Sequence, residues 1–185
     1  MRRDFLRILF IYIFIPLFFL STASFAQKIQ VIQDQDYFPL VNKLIKEAKS
    51  SIRVIAFEMG YYPQYPLSPS NVLIQNLINA EKTGVDVKVI LEVSNWNDRI
   101  TKKNKFAGKI LSEGGVEVRY DSPLVTTHAK LVIIDSSFAI LGSTNWTYYS
   151  LTQNKELSLF VELPSVVSEL EDYFNRLWEE STSSY

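Results

Sequence analysis

Cysteine is absent from the 185 residues, and histidine occurs once. The first absence excludes a disulfide framework and every cysteine-based zinc site, so the hydrophobic core alone must hold the fold together. The second leaves all imidazole chemistry to one residue, His128. Internal repeats and low-complexity tracts are also missing, and so is any excess of positive charge, the formal balance being −1. What is present is ordinary globular composition, 47% hydrophobic and 21% charged, at a length that suits one domain.

The N-terminus stands apart from that domain. Arg2, Arg3 and Arg7 make a positive head around Asp4, and residues 8–20 then run without charge and rich in Ile and Phe. Ser24 and Ala26 are placed as the small residues before a cut. This three-part layout is that of a secretory signal peptide, residues 1–26, cleaved after Ala26 and leaving one domain over 27–185, secreted or periplasmic. The competing reading is an uncleaved membrane anchor over residues 8–26, close to the roughly 20 residues a spanning helix needs. Residues 1–26 hold three Arg and one Asp, so of 19 basic and 20 acidic residues the mature chain keeps 16 and 19, a formal −3. A chain so charged is no general nucleic-acid sponge, and any polyanion must be held by a local basic patch.

Periodicity places strands at 28–33, 51–57, 85–93, 116–120, 128–134, 138–141 and 157–162. Helices are expected at 37–48, from a cap at Ser70 or Asn71 to Lys82, at 98–113, and at 165–180, with Gly84 and the Gly114–Gly115 pair as stops. Residues 58–70 hold three prolines and three tyrosines and must form a loop. Strand and helix alternate through the first two thirds, then hairpin-like connections follow. The expected fold class is α/β, a mixed β-sheet flanked by helices on both faces.

The chemistry lies in H-A-K-L-V-I-I-D, carrying His128, Lys130 and Asp135, and in G-S-T-N, carrying Gly142, Ser143 and Asn145. Residues two apart on a strand share a face, so His128 and Lys130 are expected to point together. Asp135 faces away or sits in the turn. A hairpin centred on Ser136 brings residue 144 opposite His128, which delivers Ser143 and Asn145 beside the imidazole. An ammonium, an amide, a hydroxyl and an imidazole on one spot suit a phosphate: three hold oxygens and the fourth attacks or moves a proton. A lone H-x-K, or a lone G-S-x-N, would be incidental. All six at fixed spacing coincide by chance on the order of 10⁻⁸ per starting position.

The pattern H-x-K-x4-D-x6-G-S-x-N resembles the signature of the phospholipase D superfamily. Trp146 and Thr147 resemble its usual continuation, Asn154 and Glu156 its distal acidic element, and residues 82–91 its second strand unit. The resemblance implies the phospholipase D/nuclease-like fold and a metal-independent phosphodiester hydrolase without cofactor. In its mechanism one histidine attacks phosphorus to form a phosphohistidine and another protonates the leaving oxygen. Lys130, Asn145 and Ser143 would bind phosphoryl oxygens, Glu156 would orient His128, and Asp135 and Gly142 would be structural. Two-motif relatives carry a second H-x-K, which this chain lacks. Two imidazoles can meet only when two chains meet, so a homodimer with a composite active site is expected.

The substrate is read less directly. Arg99, Lys102, Lys103, Lys105 and Lys109 gather around one helix, where they could track a nucleic-acid backbone or simply form a solvated face. With the short chain, this favours DNA or RNA cleavage by an endonuclease. Phospholipid hydrolysis is the alternative, with Tyr61, Tyr62, Tyr65 and Leu67 available to meet a lipid interface or to stack on bases. A third class, a non-catalytic polyanion-binding module, is disfavoured by the intact His128, Lys130, Asn145 and Glu156 set.

The leader carries a direct test. N-terminal sequencing of protein recovered from its native host should begin at Gln27. Chains retaining Met1 in a membrane fraction would establish the anchor instead.

Overall fold

The computed structural model describes residues 28–184, so the expected signal peptide or anchor lies outside the described residues. Seven strands form one sheet: β1 (Lys28–Gln33), β2 (Ser51–Ala56), β3 (Asp86–Leu91), β4 (Glu117–Tyr120), β5 (Lys130–Ile134), β6 (Phe138–Gly142) and β7 (Leu157–Glu162). Their order across the sheet is β1-β7-β6-β5-β2-β3-β4. β2, β3 and β4 run parallel, whereas β5 lies antiparallel to β2, and β6, β7 and β1 follow in antiparallel steps. The mixed sheet agrees with the expected fold class.

The helices are α1 (Tyr37–Glu47), α2 (Pro69–Lys82), α3 (Asp98–Glu113), the short α4 (Tyr148–Thr152) and α5 (Pro164–Glu180). Two hydrophobic clusters show why both faces are covered. On one face Val54, Val87, Val89 and Val132 pack with Val41 and Ile45 of α1, Leu73 and Leu77 of α2, and Leu111 of α3. The alternate strand residues Ile55, Ile90, Leu131 and Ile133 point the other way, onto Val167, Phe174 and Trp178 of α5. Period-two alternation on strands apolar on both faces therefore feeds two cores at once. Each fully buried Leu, Ile or Phe stabilises by about 1.5–3 kcal/mol.

Three local expectations change. Ser68, not Ser70 or Asn71, precedes the first turn of α2, because Pro69 occupies the first helical position where a missing N–H costs nothing. Asn71 is freed to staple the loop before it, accepting from Tyr62 N and donating to the Tyr62 and Tyr65 carbonyls. β5 begins at Lys130, so His128 stands in the preceding loop rather than on the strand. α4 was not foreseen; its five residues follow the Thr147 cap, whose hydroxyl accepts from Ser150 N.

The hairpin register is the one expected, Leu131 opposite Leu141 and Ile134 opposite Phe138. Its turn places Asp135 and Ser136 at positive φ, 53° and 49°. The Asp135 carboxylate leaves the sheet and accepts from Lys49 N, Ser50 N, Ser51 N and the Ser50 hydroxyl. Burial alone would raise this carboxyl, but the backbone N–H groups of Ser51, Ser50 and Lys49 outweigh it and hold it below the ordinary aspartate range. Asp135 is thus a structural clasp between the β5–β6 turn and the segment leading into β2.

Replacing Asp135 with Ala should destabilise the domain by about 2–3 kcal/mol, since it unmakes several charge-assisted bonds. A denaturant titration checks this. The clasp should also weaken in acid, because a carboxyl with a depressed pKa gives stability that is present above its unfolded pKa and lost as pH falls through the folded one.

Candidate active site

The antiparallel step from β2 to β5 brings the start of β5 to the end of β2, Lys130 aligning with Ala56. At that end of the sheet, the loops after β2, β3 and β6 meet the loop from β4 to β5, which carries His128. Two of them are zipped together. Gly60 N donates to the Trp146 carbonyl and Trp146 N to the Glu58 carbonyl, a short parallel bridge beside Met59. The buried Trp146 ring donates its N–H to Tyr37 Oη, which anchors the G-S-T-N segment to α1. Burial raises the Tyr37 phenol to about 12, so it stays neutral. Gly142 has a steric role: a Cβ there would meet the Leu157 carbonyl at 2.4 Å and the Ser158 Cα at 2.5 Å. Only glycine lets β6 pass β7 this closely.

His128 is exposed, and its ring lies 4.3 Å from that of Phe57 at a tilt of 59°. Lys130 is 8% exposed, its ammonium 4.6 Å from the Phe57 ring centroid and 2.6 Å from the His128 carbonyl, which accepts from it. Lys130 and His128 therefore share a platform, Phe57, even though His128 is off the strand. Burial pushes the Lys130 ammonium down, and the carboxylates of Glu156, Glu58 and Glu92 partly restore it. Burial and then the charge of Lys130 lower the His128 imidazole, favouring the neutral, nucleophilic form.

Ser143 and Glu156 are brought together: the Ser143 hydroxyl donates to the Glu156 carboxylate and accepts from Leu157 N. Asn154 Nδ2 donates to the other Glu156 oxygen at 3.3 Å. The expected bond from Glu156 to His128 is not formed. Glu156 instead reaches the site through its charge, acting on Lys130. Its backbone is pinned by Asp34, whose carboxylate accepts from Glu156 N and pairs with Lys155. Asn145 is partly buried, and its Oδ1 is buried with no hydrogen-bond partner among the described residues.

The basic helix α3 is more committed than the sequence suggests. Lys103 forms a partly buried ion pair with Glu58 at 2.5 Å. Lys102 pairs with Asp98 and Lys109 with Glu113, each one helical turn apart. Arg99 lies 3.9 Å from Glu58. Lys105 stands on the same helix. A cavity of about 720 Å³ opens beyond Gly60, lined among others by Tyr62, Tyr65, Leu67, Tyr148 and Tyr149.

Several residues of the site were not singled out from the sequence. Phe57 is the last residue of an expected strand, and Glu58 the first of the expected loop. Asn104, fully buried on α3, fastens three segments by donating to the Phe57 and Glu92 carbonyls and accepting from Met59 N. Glu92 was the visible signal, a carboxylate inside an apolar run, since such a residue is almost never buried unless paired. Among the described residues, no group of three or more His, Asp or Glu is placed to hold a metal ion.

Comparison with known proteins agrees with this geometry. Residues 41–178 match the family model described as "Cardiolipin synthase, PLD-like domain". The mitochondrial cardiolipin hydrolase of Xenopus laevis is 33% identical over 113 residues, 61% of this chain and 50% of that protein. A phospholipase D of Rickettsia typhi is 31% identical over 122 residues, 65% of this chain and 57% of that protein. The chain thus spans about half the length of these curated relatives. Among solved structures, the phospholipase D family member Nuc from Salmonella typhimurium superposes with a TM-score of 0.70 at 24% identity, over 84% of this chain and 96% of that one. NucT from Helicobacter pylori superposes with a TM-score of 0.68 at 16% identity, over 84% and 98%. The sheet, the H-x-K and G-S-x-N segments and the matched span agree: the chain belongs to the phospholipase D superfamily, with the PLD-like domain of cardiolipin synthase as its matching family model.

Proposed function

We propose that the protein is a metal-independent phosphodiesterase whose nucleophile is His128. The observation that carries this reading is the seating of Lys130 and His128 on one platform, Phe57. His128 attacks phosphorus as the bond to the leaving oxygen breaks, giving a phosphohistidine. An imidazolium from a second chain donates its proton to that oxygen. The imidazole so formed takes a proton from water, whose oxygen attacks phosphorus and frees His128. Lys130 and the side-chain NH2 of Asn145 hold the phosphoryl oxygens as negative charge builds.

The substrate proposed first is a polynucleotide. Arg99 and Lys102 stand on the exposed side of α3 next to the Glu58–Lys103 pair, and with Lys105 they form the positive edge beside the site. A specific observation favours the second reading, phospholipid: the tyrosine-lined cavity and the exposed Tyr65, Leu67 and Tyr149 suit an acyl chain or an interface. The relatives named as cardiolipin hydrolase and phospholipase D support that reading too. Purified protein should nick plasmid DNA in EDTA, with vesicles of cardiolipin or phosphatidylcholine assayed alongside. Turnover of vesicles alone would move the substrate to lipid. Activity lost in EDTA and restored by Mg²⁺ would overturn the mechanism.

The single histidine makes the assembly testable. His128→Ala should abolish turnover while the domain stays folded. Wild-type and His128→Ala chains mixed equally, with exchange confirmed by an independent label, should give about half the activity of the same wild-type chains alone, because half of them sit in mixed dimers. Undiminished activity would mean that each chain works alone.

A further inference from the structure

Beneath the His128 loop lie two carboxyls that the mechanism above does not use. Glu92 follows β3 and Asp121 follows β4, adjacent positions at the ends of two parallel strands, since Leu91 aligns with Tyr120. They are 1% and 2% exposed. Their backbones are fixed: Glu92 N donates to the Ala56 carbonyl and Asp121 N to the Leu91 carbonyl. Asp121 Oδ1 accepts from Val93 N at 2.8 Å, and Glu92 Oε2 accepts from Thr127 N at 2.6 Å. Thr127 is the residue before His128.

The two residues are neighbours at adjacent strand ends, and Asp121 Oδ2 is buried with no hydrogen-bond partner among the described residues. Two buried carboxylates cannot bond without a proton between them. A proton on Glu92 supplies the donor that Oδ2 lacks. Other charge near Glu92 comes from Lys130 on β5, which partly offsets the effect of Asp121, while α3 presents the neutral Asn104 to the Glu92 carbonyl.

We infer that Glu92 and Asp121, sharing one proton, form a clamp that positions the His128 loop for phosphodiester hydrolysis and loosens when the proton is lost. Glu92 grips the loop through Thr127 N. It also acts on the Lys130 ammonium, which in turn holds the His128 carbonyl. Loss of the proton leaves two adjacent buried anions that repel, and the Thr127 anchor moves with them. Burial first, and Asp121 second, raise Glu92 to about 8, which sets the pH at which this release occurs. Glu92 and Asp121 are positioning residues, not catalytic ones.

The inference rests on the phosphodiesterase reading for its activity readout and on His128 for a readout that needs no substrate. Glu92→Gln keeps both bonds, its amide donating to Asp121 and its carbonyl accepting from Thr127, but cannot titrate. It should retain wild-type activity at neutral pH and stay active through pH 8–9, where the wild type declines. If Lys130 caused that decline, removing Glu92 would leave it in place or move it lower, so the direction of the shift decides between them. Glu92→Ala should lose about 10²-fold at every pH by misplacing the loop. The one histidine gives a single set of imidazole proton resonances. In the wild type these should show a second inflection near pH 8 that Glu92→Gln lacks. Should Glu92→Gln not fold, infrared titration of the wild type decides: a protonated-carboxyl band present at pH 6 and lost near pH 8 supports the shared proton. No such band, or its loss without a change at the His128 resonance, overturns the clamp. Failure of all hydrolysis assays with the resonance behaving as stated would sink the phosphodiesterase reading and leave the clamp standing.

Discussion

Everything at the site depends on one reversal of strand direction. β5 pairs antiparallel to β2 in the middle of the sheet, so the chain enters β5 at the edge where β2, β3 and β4 leave. A parallel crossover there would have put Lys130 at the opposite end from Phe57 and Glu58. With the reversal, Phe57, Glu58, Glu92 and Asp121 all stand at strand ends facing the loop of His128. The return strand β6 then ends at the same edge, held close to β7 by Gly142. Ridges of buried Val and Ile on both faces keep the register from slipping, since a one-residue slip would move each apolar set to the wrong core.

Charge at this edge is arranged in layers. Lys130 is buried and therefore costly, and the carboxylates of Glu156 and Glu58 lower that cost, neither forming a direct ion pair with it. Glu58 is itself paired with Lys103, and Glu156 is engaged by Ser143. The ammonium thus remains available for an incoming anion, because its only hydrogen bond among the described residues is to a carbonyl, that of His128.

The sequence made some of this legible and hid the rest for definite reasons. Alternation and turn chemistry were enough for the strands, and centring the hairpin on Ser136 predicted the pairing of Leu131 with Leu141. The bracing role of Asp135 followed from its odd spacing from Lys130. The strand-like pattern runs through His128 and Ala129, but β5 starts only at Lys130, because the Thr127 N–H goes to Glu92 and the His128 carbonyl to the Lys130 ammonium. Capping rules favoured Ser70, but Pro69 overrode them. The roles of Asn104, Glu92 and Asp121 arise from contacts between segments far apart in the chain, which local spacing does not encode. The same holds for Glu156, whose preference for Ser143 over His128 depends on how closely β6 runs beside β7.

The edge strand β1 carries a consequence for how the domain forms. It pairs with β7 alone, Lys28 beside Glu162 and Gln33 beside Leu157. The first described strand therefore waits for the last one to complete its pairing. Pairings of such long sequence separation slow folding. Until β7 is available, the backbone of β1 and the far edge of the sheet remain unpaired, so an incomplete chain is an open sheet with an adhesive margin.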